Sequence, residues 1–396
     1  MTETDISKIP QRVLIAAISA RALVAGARRA GFAPLAVDLF ADTDTQAMAQ
    51  AYRRIGTDDA RGLEPAPLRQ ALAALVACQG EPLGLVYGSG FEHQPHVLAE
   101  LARDYRLLGN PPEVIARTKD PQFFAELCRA LAIPHPEIRV APAPDEHWLE
   151  KKAGGAGGVH IRQVRPGQRP RPGYYLQRRV AGRAVSAAFL ADGREALVLF
   201  FSAQWTAPAA AAPFRFGGAV RPAALSPEWQ EQLTAPVRRL AAALGLVGLN
   251  SADFLIQDNA PPHAPGAFSL LEINPRPGAT FDLAGAEAFR WHLEACLGRL
   301  PAKLPAYPDA AASGVVYARR PVRLSARFSW PEWCSDRPAG GATCDEDAPF
   351  CTVHAKARTA GRALALLRRR TAAILARAER QSERRSFRHD PPTHQR

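Results

Sequence analysis

"LLEINPRPG", residues 270–278, decides the reading of this chain. Leu270, Leu271 and Ile273 give it strand character. Glu272 and Asn274 lie two apart, so on a strand they point to the same face. Together they offer carboxylate and amide oxygens, hard ligands suited to a Mg²⁺ ion that also holds phosphate oxygens. Arg276 follows on a turn stiffened by Pro275 and Pro277. A guanidinium at that point can grip a phosphoryl group or a substrate carboxylate with two N–H groups. Just upstream, "LNSADFLI" (249–256) reads as the preceding strand of a hairpin and brings Asp253 to the same face as a third oxygen ligand.

Further upstream, "LEKKAGGAGGVHI" (149–161) sets lysines before a run containing Gly154, Gly155, Ala156, Gly157 and Gly158. Glycines let backbone N–H groups turn towards phosphate oxygens, and a lysine adds a point charge. No Gly-Lys-Ser/Thr follows, so this is not a Walker A loop. "RTKDP" (117–121) carries Lys119 on a helix. "YYLQRRVAG" (174–182) reads as a strand that offers Gln177, Arg179 and Val180 to an adenine edge.

The order of these features resembles the ATP-grasp superfamily: Lys119, a lysine with a glycine loop, a hinge strand with Gln177, Asp253, then Glu272-x-Asn274-Pro-Arg276. The resemblance covers nearly the whole chain. It implies an α/β and α+β architecture, an ATP-grasp fold with an N-terminal Rossmann-like domain, whose two lobes hold ATP and Mg²⁺ (or Mn²⁺). Carried over to this sequence, Lys119 and Lys151 contact phosphates, and Gly155, Ala156, Gly157 and Gly158 form the phosphate flap. Gln177, Arg179 and Val180 line the adenine pocket, while Asp253, Glu272 and Asn274 hold metal. Lys151 and Arg276 serve the chemistry, which joins a carboxylate to an amine through an acyl phosphate. The chain departs from the family in having Lys151-Lys152 where Lys-Pro is usual, which leaves Lys152 as an alternative phosphate lysine. Gln177 and Arg183 also stand where many members have acids.

Within the superfamily the chain looks most like ligases grouped with tyramine–glutamate ligase, which serve methanofuran-type cofactors. That likeness rests on "GSGFE" (88–92), "DLFADTDT" (38–45) and the "DRP…PFCTV" stretch (336–353). It implies amino-acid-like small molecules as partners. The expected substrate residues are Ser89, Gly90 and Glu92 in the turn, with Trp205 and Gly218 as an aromatic wall and its loop. The alternatives are another ligase or carboxylase of the superfamily, of purine-biosynthetic or peptide-forming type, and a non-catalytic nucleotide-binding regulator.

The 396 residues are 47% hydrophobic, enough for two or three packed units. The strand–helix alternation from residue 12 predicts a parallel sheet, so the domain divisions are read as 1–112, 113–300 and 301–378, with a disordered basic tail over 379–396. One helix is expected over 113–133 and a long lid-like loop over 206–222. The six cysteines form no Cys-x-x-Cys pair, and Cys344, Cys351 and His354 match no compact zinc spacing. The net charge of +12, much of it from Arg358 onward in a helix and tail rich in arginine, suits anionic small molecules better than nucleic acid. No apolar run reaches the length of a membrane span, and Met1–Gln11 lacks a secretion-signal profile, so a cytoplasmic protein is expected. The oligomeric state is left open, a homodimer being compatible with everything above.

Overall fold

A computed structural model describes residues 12–56, 62–304 and 306–386, with side chains as far as 381. Four short strands, Arg12–Ala16, Ala33–Asp38, Ala51–Arg54 and Leu85–Tyr87, form the first sheet. All pair in parallel, in the order third, second, first, fourth. Their Val, Leu, Ile and Ala side chains are almost wholly buried, as a sheet covered on both faces requires. The order reverses between the first and fourth strands. Ligands of open α/β sheets bind beyond the carboxyl ends at such a point, and "GSGFE" begins there.

The expected single helix over 113–133 is two helices, Pro112–Lys119 and Pro121–Ala130. Pro121 disfavours helical geometry at Asp120. Asp120 ends the first helix and caps the second, its carboxylate accepting from the amides of Gln122 and Phe123. The break leaves Lys119 at the end of a helix, facing the next lobe.

A small antiparallel sheet follows, with strand order Ile138–Arg139, Tyr174–Arg178, Trp148–Lys152, Arg162–Gln163. It pairs Lys151 with Tyr175 and Leu149 with Gln177. The main sheet has eight strands in the order Phe268–Asn274, Val247–Ile256, Arg183–Asp192, Ala196–Thr206, Phe216–Arg221, Ala310–Tyr317, Pro349–Ala357, Cys334–Ser335. Alternation along Arg183–Asp192 builds two cores. Val185, Ala187, Phe189 and Ala191 join one cluster with helix Pro227–Leu244. Ala188 and Leu190 join another with helix Ala288–Cys296 and the first sheet.

Three features differ from the sequence reading. The last three strands of the main sheet come from the segment after residue 301, read from the sequence as a division of its own over 301–378, so that segment continues the sheet. Within 206–222, Phe216–Arg221 is a strand, so the loop is confined to 207–215. Glycine makes that strand fit: a Cβ at Gly217 would stand 2.7 Å from the Trp205 ring, and one at Gly218 would overlap it. The final helix, Ala360–Ser386, runs past the tail boundary at 379, because Arg, Glu, Gln and Ser there hold a helical pattern that composition alone reads as solvated chain. The rest of the basic tail lies outside the described residues.

Candidate active site

Strands Val247–Ile256 and Phe268–Asn274 pair with Asp253 opposite Glu272 and Ser251 opposite Asn274. The register shifts between Asp253 and Phe254, a bulge of the kind that re-aims side chains at functional sites. Asn274 Nδ2 donates to Asp253 Oδ2 over 3.0 Å. Lys119 Nζ reaches across from its helix to Glu272 Oε2 (3.0 Å) and Asn274 Oδ1 (3.2 Å). Four residues foreseen from the sequence thus meet at one point.

Two half-buried carboxylates facing each other across the ladder raise an electrostatic problem. Burial opposes the charge on Glu272, but Lys119 and Lys151 outweigh it and hold its carboxyl below the usual range. Burial and the charge of Glu272 push Asp253 the other way, above the usual range. A divalent cation among Asp253, Glu272 and the Asn274 amide oxygen would relieve that repulsion, and the donor set suits Mg²⁺ that keeps phosphate or water as further ligands. Among the described residues no three His, Cys, Asp or Glu side chains converge on a metal position.

Lys151 is 6% exposed and donates to Gln177 Oε1 over 3.0 Å. Burial lowers its pKa, against the pull of Glu272 and Asp253. Lys152, next along the strand, is half-buried and also reaches the wall of the cleft. Lys119, Lys151, Glu272 and Gly155 line one cleft together with His160 and Tyr175. The cleft measures about 30 Å³, room for little more than a water molecule. Two buried polar atoms here lack partners: Gln177 Nε2 and His160 Nδ1. Orphaned donors or acceptors are costly unless a ligand satisfies them, and a polar heterocycle with phosphates fits both. Burial, with Lys151 adding to it, drives the pKa of His160 down to about 4. His160 stands inside the quoted glycine motif, but a lone histidine after a glycine run carries no spacing signal of its own.

The glycine loop is folded down. Gly157 O accepts from the Phe216 amide at 2.9 Å. A Cβ at Gly154 (φ +69°) would come 2.5 Å from Glu92 O, and one at Gly158 (φ +74°) would collide with Phe214 O. Only glycine allows this backbone approach.

Ala156 and Gly157 face a second, larger cavity of about 340 Å³, with Ser89, Arg276 and Gly278 also on its wall. Arg276 is 8% exposed; its Nε donates to Glu92 Oε1 at 2.6 Å. Glu92 Oε2 accepts from the Gly90 amide at 2.7 Å. Glu92 and Gly90 therefore lie behind Arg276, not on the cavity wall where the sequence reading put them: a buried carboxylate so close to a guanidinium is committed to it. Trp205 and Gly218 are also displaced from the expected substrate wall. The indole packs on Gly218 and Gly314 within the C-terminal core, because glycine in two neighbouring strands leaves a slot its own size. Arg179 is exposed and Val180 half-buried, and neither lines the lysine-walled cleft. Their strand ends at Arg178, so the alternation that buries Gln177 does not reach them.

Asn110 was read only as part of a domain boundary. Its Nδ2 donates to Asn250 Oδ1 (2.8 Å) and Pro275 O (2.9 Å), and its Oδ1 accepts from the Val247 amide (2.8 Å). It fixes the turn that carries Arg276 to both neighbouring strands.

Comparison with known proteins agrees with this geometry. Residues 122–280 match the model of the ATP-grasp domain. The biotin carboxylase domain of 2-oxoglutarate carboxylase from Hydrogenobacter thermophilus, solved as a dimer with MgADP and bicarbonate, superposes over 89% of this chain and 87% of its own, with a TM-score of 0.67 at 13% identity. The chain has the ATP-grasp fold. The L-amino acid ligase from Bacillus licheniformis is a further ATP-grasp neighbour by shape, covering 91% of this chain and 97% of its own, with a TM-score of 0.67 at 12% identity. Among curated proteins, a glutamate 5-kinase from Mycobacterium avium is 33% identical over 140 residues, 31% of this chain. The chain spans only 38% of the length of that relative.

Proposed function

We propose that the protein is a ligase that uses ATP to activate a carboxylate as an acyl phosphate and passes it to an amine, releasing ADP and phosphate. The observation that carries this reading is the meeting of Lys119 with Glu272, Asn274 and Asp253 at the mouth of a lysine-lined cleft. A nucleotide-binding regulator has no use for a pair of repelling carboxylates beside a buried arginine.

In this reading Lys119 and Lys151 neutralise the triphosphate. Asp253, Glu272 and Asn274 would hold Mg²⁺ or Mn²⁺, which supplies charge neutralisation for phosphoryl transfer when bound. The amides of the Gly154–Gly158 loop contact phosphate oxygens, and the folded loop excludes water that would hydrolyse an acyl phosphate. Gln177 Nε2 and His160 Nδ1 turn to the nucleotide. Arg276, held by Glu92, orients the carboxylate to be activated and stabilises charge as the amine attacks. No covalent enzyme nucleophile is required.

The finer reading is that glutamate is joined to tyrosine, tyramine or a related amine, as in methanofuran-type cofactor assembly. Its support is the "GSGFE" turn, whose Ser89 faces the larger cavity, and the "DRP" stretch, whose Asp336 does too. A homodimer is part of the proposal, supported by the dimeric carboxylase neighbour. Incubation with MgATP, glutamate and tyramine or tyrosine, read by mass spectrometry, tests the pair. A condensed product with matching ADP is expected. ADP release with an unrelated acid alone would remove the substrate pair, and no carboxylate-dependent ADP with any acid would remove the ligase.

A further inference from the structure

The larger cavity has walls of unequal charge. At one end stands Arg276, more than nine-tenths buried, whose Nε and Nη1 bond to Glu92 and Pro277 while Nη2 meets no acceptor among the described residues. At the other end Arg21 is enclosed by two carboxylates. Its Nη1 and Nη2 donate to the two oxygens of Asp282, each at 2.6 Å. Its Nε and Nη2 donate to Asp336 Oδ1 (3.0 Å) and Oδ2 (3.1 Å). Ser19 Oγ also donates to Asp336 Oδ1, at 3.2 Å.

One guanidinium carries one charge and the two carboxylates carry two. Arg21 spends its fork on those oxygens and cannot serve an incoming anion. A carboxylate has about four acceptor positions; Asp282 uses two on Arg21, while Asp336 takes Arg21, Ser19 and the Thr352 hydroxyl, so the open acceptor positions are mainly on Asp282 and Asp336 contributes its charge. Arg337 does not supply the missing charge, since its side chain donates to the carbonyls of Cys334, Pro331 and Glu332; Arg29 acts on Asp282 only from an exposed position, and burial lowers the pKa of the neighbouring His354. The Asp44 carboxylate caps the amides of Asp336 and Arg337 from behind, adding negative potential. An excess carboxylate that is mostly shielded from solvent calls for a cation. An open-fisted arginine calls for an anion. A volume of about 340 Å³ is that of a small-molecule site.

We propose that this cavity seats the α-amino acid whose carboxylate is activated, with its carboxylate on Arg276 and its ammonium group on Asp336 and Asp282. The assignment rests on the ligase reading for the fate of the carboxylate but not for binding itself. It makes Asp336 and Asp282 the residues that select an amino acid over bicarbonate or a simple carboxylic acid. The side chain of the amino acid then lies towards Ile18, Phe216 and Val315 on the same wall.

Equilibrium binding decides it without turnover. Calorimetry on the full chain with MgADP would compare L-alanine, L-glutamate and L-tyrosine with propionate, glutarate and 3-(4-hydroxyphenyl)propionate. At least one amino acid should bind roughly 30-fold or more tightly than its deaminated partner. Asp336→Asn should erase that preference while the thermal shift caused by MgADP stays as in the wild type. If that variant does not fold, because Arg21 loses a partner, the wild-type pairs alone still decide. Equal affinity within every pair, no binding by any of the six, or an intact preference in Asp336→Asn overturns the assignment. Selective binding without carboxylate-dependent ADP release would keep the assignment and remove the ligase.

Discussion

Glu272 is the residue on which most of the site's contacts converge. Lys119 binds it, Asp253 opposes it across the ladder, and Lys151 lowers its pKa. Glu272→Gln keeps the shape and removes the charge, so the fold should stand while ATP turnover falls by roughly 10²–10³ or more. Circular dichroism with an ADP-release assay checks both halves. Lys151→Ala should cost a similar factor, and Lys152→Ala far less, because Lys151 is the buried member of the pair and is held in place by Gln177. A second residue-scale outcome concerns Asp42. Burial, with Asp336, Asp38 and Asp44 around it, pushes its carboxyl up to about 8. An acid whose pKa is higher when folded than unfolded holds its proton in the native state. Its contribution is full at low pH and is lost as pH climbs from about 4, the unfolded carboxyl value, to about 8. Melting temperature should therefore drop between pH 6 and pH 9 more steeply in the wild type than in Asp42→Asn.

At the scale of elements, the glycine loop and the helix break carry the mechanism. The loop lies on the Glu92 carbonyl and on strand Phe216–Arg221, and the cleft beneath it holds only about 30 Å³. A nucleotide enters only if the loop lifts, so hydrogen exchange at amides 154–158 should slow on adding a non-hydrolysable ATP analogue with Mg²⁺. Unchanged exchange would mean the loop does not gate the cleft. Gly158→Ala should hold the loop away from Phe214 and raise KM for ATP. Much at this scale was legible in the sequence. The alternation around Glu272 and Asn274, the upstream Asp253 and the glycine run all follow from local periodicity. The break at Pro121 was legible too, but the apolar positions on either side read as one helix. Strand Phe216–Arg221 was hidden, because its glycines look like loop until the Trp205 ring is in place.

For the whole molecule, what the sequence withheld is pairing over distance. Glu92 and Arg276 are 184 residues apart, and Arg21 and Asp336 are 315 apart. No local pattern announces either pair; the first sheet's turn-point brings them together. The same distance misdirected Glu92, which looked like a substrate contact and proved to be the support of Arg276. Glu92→Gln should consequently lower kcat more than it raises KM for ATP, and steady-state kinetics over ATP concentration would separate the two.

The central claim is that the fold transfers the terminal phosphoryl group of ATP to a carboxylate. It is tested most directly by turnover with a carboxylate labelled with ¹⁸O on both oxygens, the products being read by mass spectrometry. ADP and inorganic phosphate carrying one labelled oxygen are the outcome this account predicts. Unlabelled phosphate, or AMP and pyrophosphate in place of ADP and phosphate, would contradict it.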